Sequence, residues 1–105
     1  MIEKLIWMKG RMFSTLLQNK KFSVEDVNST HIDIKVLDTG KVRRISRKEF
    51  EEPWERLLTD GAITRQQIFD FGSRNSAYIV AILANTPGVT HRIKPIQLKY
   101  KDPGK

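Results

Sequence analysis

The 105-residue chain contains no cysteine. That excludes disulfides, thiol catalysis and cysteine-ligated metal, and it fits a cytoplasmic protein. Long apolar runs are also missing. The longest, Ala77 to Ala84, falls far short of the roughly 20 residues that cross a bilayer. The N-terminus carries Glu3 early and has no extended apolar core or small-residue cleavage site, so it does not read as a signal peptide. Histidine is scarce. His31 and His91 stand apart with no ligand at useful spacing, so hydrogen-bonded or solvent-facing roles are expected, and neither metal nor other cofactor is implied. There is no phosphate loop, nucleophile elbow or zinc signature, which points away from an enzyme. Aromatic residues make up only 9% and do not interleave with the basic ones, an argument against base stacking along a tracked single strand. No internal repeat or low-complexity segment is visible.

Positive charge is present in excess. The formal net charge is +7, distributed unevenly. Residues 1–48 hold eleven Lys/Arg against five Asp/Glu, residues 49–74 three against six, and residues 75–105 five against one. Basic flanks around an acidic middle favour a polyanionic partner.

Length alone implies one domain, 1–105, with one modest core. Residues 1–45 read as mainly β. Ile2 to Met8 is compatible with a strand or a helical turn. Met12–Leu17 and Phe22–Val27 read as a first hairpin, although Ser23 and Asp26 also imitate a helix cap. His31–Leu37 is the clearest strand, with Ile32, Ile34 and Val36 alternating against His31, Asp33 and Lys35. Asp38-Thr39-Gly40 turns it into a partner strand, Val42–Ile45.

Residues 46–101 read as a helical unit plus a strand. Ser46 and Glu49 form a capping-box pattern at a helix start, and Phe50, Trp54, Leu57 and Leu58 recur as its buried face. Pro53 inside this pattern predicts a kink at Glu52 or two short helices. Glu49, Glu51, Glu52 and Glu55 read as a wet face, with Glu52 and Arg56 spaced for an ion pair. Thr64 and Gln67 make a second capping box. Gly72 then turns the chain into another helix, capped by Ser73 or Asn75 and ended by Asn85, Pro87 and Gly88. Thr90–Lys101 reads as a final strand, placed at a sheet edge by Pro95. Residues 102–105 read as a frayed tail at the edge of a longer parent protein.

The expected class is α+β: a small N-terminal antiparallel sheet of hairpins, then a three-helix, helix-turn-helix-like unit and a C-terminal strand. In such a pair the second helix normally faces DNA. Here only its first turn, Ser73, Arg74, Asn75 and Ser76, is polar. The body after it is almost wholly apolar and predicts a core helix, with Tyr78, Ile82 and Leu83 packed on Trp54, Leu57 and Phe71. Ala77, Ala81 and Ala84 form a small-residue stripe suited to close packing by another helix or chain.

The capped Thr64–Phe71 helix, Gly72, the Ser73–Ala84 helix and the basic strand after it resemble winged helix-turn-helix domains over roughly Ser46 to Lys101. Three short stretches, Gly10–Thr15, Ile45–Glu51 and Arg74–Ile79, resemble small accessory domains of bacterial restriction-type nucleases. The implied function is non-catalytic binding of nucleic acid, duplex DNA foremost, largely through phosphates. The candidate contact residues are Arg43, Arg44, Arg47, Lys48, Arg65, Ser73, Arg74, Asn75, Ser76, Arg92 and Lys94. The alternative is a protein-interaction or dimerisation module of a larger nuclease or regulator, suggested by the apolar second helix and the edge strand.

Overall fold

Alternation of apolar and polar residues builds the first sheet. In the computed structural model, which describes residues 2–101, four antiparallel strands pair in chain order: β1 (Met12–Ser14), β2 (Lys21–Val27), β3 (His31–Val36) and β4 (Val42–Ser46). Ile32, Ile34 and Val36 point inward from β3, joined by Phe22, Val24 and Val27 from β2 and Ile45 from β4. Gly40, at φ +69°, supplies the left-handed residue that closes the β3–β4 hairpin. The expected first strand is shorter than its apolar pattern. It stops at Ser14, and Thr15 then holds the following turn: its amide donates to the Lys20 carbonyl, its carbonyl accepts from the Asn19 amide, and its Oγ1 accepts from the Lys20 amide.

The segment before β1 is a 3-10 helix, Ile2–Met8. At three residues per turn, Leu5 and Met8 fall on one face, and both are buried. That period is neither of the two by which helices and strands are ordinarily recognised.

A break in alternation on β2 has consequences. The register shifts between Val24 and Asp26. Strict alternation after Phe22 and Val24 would turn Asp26 inward. The bulge instead turns Val27 into the core and sets Asp26 opposite Asp33.

α1 (Arg47–Asp60) begins with the expected capping box, Ser46 and Glu49 each bonding the other's backbone amide. It ends at Gly61, at φ +77°. Of the two outcomes expected of Pro53, the pair of short helices does not form: α1 is one helix through Pro53. An interior proline costs about 3 kcal/mol. Here Pro53 is itself buried, alongside Phe50, Trp54 and Leu57, and burying large apolar side chains returns about 1.5–3 kcal/mol each. Leu58, expected on that face, is 45% exposed. It sits one position beyond Leu57, about 100° further around the helix.

After α1 come β5 (Ala62–Thr64), α2 (Arg65–Asp70), α3 (Ser76–Ala84), β6 (Val89–Ile93) and β7 (Ile96–Tyr100). The second sheet has the order β5-β7-β6, all antiparallel. The expected single terminal strand is therefore a hairpin, with Lys94 and Pro95 in its turn. β7 is the central strand of this sheet and β6 an edge, so the expected edge position holds only for the first half of the predicted strand. Pro95 precedes β7, so its missing donor removes nothing from the ladder.

α3 packs against α1 and α2, against β1 of the first sheet and against β6 and β7 of the second. Isolated helices of nine residues are marginal in water, so this one is held by its surroundings. Every residue from Tyr78 to Ala84 is buried. The Phe22 and Tyr78 rings meet edge to face at 5.2 Å, joining the first sheet to the helical unit. One hydrophobic core runs from Leu5 to Leu98. The expected tail at residues 102–105 lies outside the described residues.

Candidate functional site

The start of α1 and the α2–α3 turn meet around Asn75, a position read from sequence only as a helix cap or DNA contact. Asn75 stands at the start of α3 but makes no side-chain capping bond. Instead its Nδ2 donates to Glu49 Oε1 (3.3 Å) and to the Arg44 carbonyl (3.5 Å), while its Oδ1 accepts from Arg43 Nη1 (3.3 Å). Ser73 Oγ donates to the same Glu49 oxygen at 2.5 Å and accepts from the Asn75 amide at 3.0 Å. Glu49 Oε2 accepts from the Ser46 amide at 2.7 Å. Three short segments, the end of β4, the start of α1 and the α2–α3 turn, are thus tied by one carboxylate and one amide.

Burial alone would raise the Glu49 carboxyl. The hydrogen bonds from Ser73, from the Ser46 backbone and side chain, and from Asn75 outweigh it and hold the group below its ordinary range. Glu49 is therefore not part of a freely solvated acidic face as its spacing suggested. The signal that could have found it is that residue N3 of a capping box must turn back toward the chain preceding its helix, here β4.

Beside this cluster lies an open groove of about 480 Å³, lined by Arg44, Lys48, Glu49, Glu52, Phe71, Gly72, Ser73, Arg74 and Asn75. Three cations from three elements share it: Arg44 of β4, Lys48 of α1 and Arg74 of the turn. The Arg44 side chain is 67% exposed although it pairs with Asp33 at 3.0 Å, a hydrogen bond and charge that raise its pKa further. Lys48 reaches Glu52 at 3.7 Å and is 84% exposed. Glu52 thus pairs with the residue four before it rather than with Arg56, which reaches Asp60.

The other candidate contacts divide. Arg43 donates to Asn75 and stacks over Tyr78 at 5.5 Å, so it braces the cluster. Arg47 turns to Glu51 and the Ser29 carbonyl. Ser76 is buried. Arg65 lies with Leu17, Ile93, Pro95 and Ile96. Arg92 lies with Thr90, His91, Gln97 and Lys99 on the second sheet, and Lys94 is exposed in the β6–β7 turn. Phe71, expected in the core, is 37% exposed and lines the groove, because it caps the end of the six-residue α2.

His31 is less isolated than its sequence neighbours imply. The β2 bulge brings it within 4.8 Å of carboxylate oxygens of Asp26 and Asp33, a geometry open to a cation. The cluster already carries its own partners. Lys9 reaches Asp26 at 3.4 Å, Arg44 reaches Asp33, and Asn28 bonds both Asp26 and the His31 ring. The Asp26 carboxyl is lowered chiefly by the Asn28 hydrogen bond, against a smaller opposing effect of burial, with Lys9 adding to the lowering.

Among the described residues no helix is long and apolar enough to cross a membrane. Compared with known proteins, the chain matches no family model, no curated protein and no solved structure.

Proposed function

We propose that the chain is a non-catalytic nucleic-acid-binding module, with duplex DNA as its main ligand and the α1/α2–α3 groove as its contact surface. The observation that carries this reading is the convergence of Arg44, Lys48 and Arg74 on one groove beside a rigid hydrogen-bonded cluster. Exposed cations fixed by separate elements are suited to phosphates spaced along a backbone. The order α1-β5-α2-α3-β6-β7 with sheet order β5-β7-β6 further supports a winged-helix-like reading. In this reading the α3 body reads no bases, because it is buried. The polar turn before it and the start of α1 make the contacts.

The features behind the self-association alternative divide. Ala77 is half-buried and β6 is an edge strand, whereas Ala81 and Ala84 are buried within the chain's own core and β7 is a central strand.

The test is binding of a labelled 20-base-pair duplex across a salt series. Changing Lys48 and Arg74 together to Ala should weaken binding to all sequences and flatten the log–log salt slope by about two. Wild-type affinity and slope in the double variant would remove the groove from the interface.

A further inference from the structure

Phe71 is out of character with the rest of the groove. It is a large apolar side chain, 37% exposed, among Arg44, Lys48, Glu52, Ser73 and Arg74. Phosphate contact has no use for it. An aromatic face does suit a nucleobase, which stacks on it through its own π surface. The groove volume, about 480 Å³, lies within the range of small-ligand pockets. It is one local recess with one aromatic residue, which fits a single base and not a tracked strand.

The groove also offers a carboxylate with capacity to spare. Both Glu49 oxygens are committed, one to Ser73 and Asn75 and the other to Ser46. Glu52 has a long contact to Lys48, at 3.7 Å, involving one of its oxygens. A carboxylate presents two acceptors side by side and no donor. Among the ordinary bases only guanine places two donors next to each other on its pairing edge, N1–H and the N2 amine. Adenine, cytosine and thymine each put an acceptor beside any donor there. The guanine pairing edge is free only when the base is unpaired or flipped out of its duplex.

We infer that this groove captures one unpaired guanine nucleotide, stacked on Phe71, held by Glu52 through N1–H and the N2 amine, with its phosphate met by the cations at the rim. This rests on the nucleic-acid reading and adds to it a base-specific pocket.

The test maps backbone amide shifts of the full 15N-labelled chain with guanosine, adenosine, cytidine and thymidine 5′-monophosphates and with inorganic phosphate, alongside duplex binding. Guanosine monophosphate should move the amides of Phe71, Ser73 and Arg74 saturably, and bind about tenfold more tightly than the other three. Glu52→Gln leaves one acceptor and should remove the preference for guanine over adenine. That ratio is insensitive to the general gain in anion binding that losing a charge brings. Phe71→Leu keeps apolar bulk, and so the fold, but should reduce the shifts from all four nucleotides to those that inorganic phosphate alone gives.

If phosphate alone reproduces the guanosine monophosphate shifts, or Phe71→Leu binds nucleotides as wild type does, the base pocket is refuted. Duplex binding with no nucleotide shifts refutes the pocket and spares the phosphate-contact reading. Nucleotide shifts without duplex binding support the pocket and overturn the duplex reading. Absence of both overturns the two together.

Discussion

α2 and α3 are neighbours in sequence, joined by one glycine turn, yet they have opposite surroundings. α2 buries Ile68 alone, whereas α3 buries eight of its nine residues. A helix pair of this pattern ordinarily leaves the second helix free to enter a groove. Here the first sheet lies against it, with Phe22 on Tyr78, and the second sheet packs on it as well. A helix-turn-helix pattern therefore specifies an angle between helices, but the rest of the chain decides which surface remains available. What remains here is the turn.

The largest blow to that contrast should come from the α3 body. Ile82 is fully buried, so Ile82→Ala should cost about 2–5 kcal/mol, a large part of the stability of a small domain. Urea denaturation measures it. An unchanged midpoint would mean that this helix face is free after all. Next is the turn. Asn75→Ala leaves Arg43, the Arg44 carbonyl and Glu49 short of a partner in a site where Asn75 is 9% exposed. A loss of about 1–3 kcal/mol is expected, more than an exposed helix cap commonly gives. A loss below about 0.5 kcal/mol, the range of ordinary surface changes, would show that the cluster does not brace the fold.

A third effect is in pH. Glu49 titrates lower in the folded chain than its ordinary value of 4.5. In the window just below that value the unfolded chain binds the extra proton, so stability rises with pH there. The contribution is complete above about 4.5 and is lost as the pH falls through the depressed folded value. Glu49→Gln should flatten this acid limb in thermal melts, with a remnant from Asp26, which is also lowered. An identical limb would assign it to other carboxylates. Smallest is Arg74→Ala, expected to shift stability by less than about 0.5 kcal/mol while weakening duplex binding in the same preparation. A large fall in melting temperature would make Arg74 a structural residue.

Much of the fold was legible because it depends on local chemistry. Ile32, Ile34 and Val36 declared a strand, Ser46 and Glu49 a helix start, Thr64 and Gln67 another. The 3.6-residue rule placed Leu57 inside correctly but was too generous to Leu58. The failures were matters of context. Pro53 does not break α1, because propensity is outweighed by burial. The β6–β7 turn was hidden inside an apparently continuous pattern. At the site, the polar first turn of α3 stood out from sequence, but the bonds from Ser73 and Asn75 to Glu49 span 24 and 26 residues, and no spacing rule reaches that far. The meeting of Asp26, His31 and Asp33 was equally hidden, since it turns on a single extra residue in β2.

The position of α3 between two sheets also bears on how the chain can be cut. Residues 46–101 have the outline of a self-sufficient unit, and an experimenter seeking a minimal binding fragment would begin there. Removing the first sheet would uncover Tyr78 and take away β1, one of the elements packed on α3. The fragment would expose a contiguous apolar face, the kind of surface that drives aggregation. The two sheets are thus best regarded as two halves of one folding unit, and α3 as a shared asset that neither half can carry off alone.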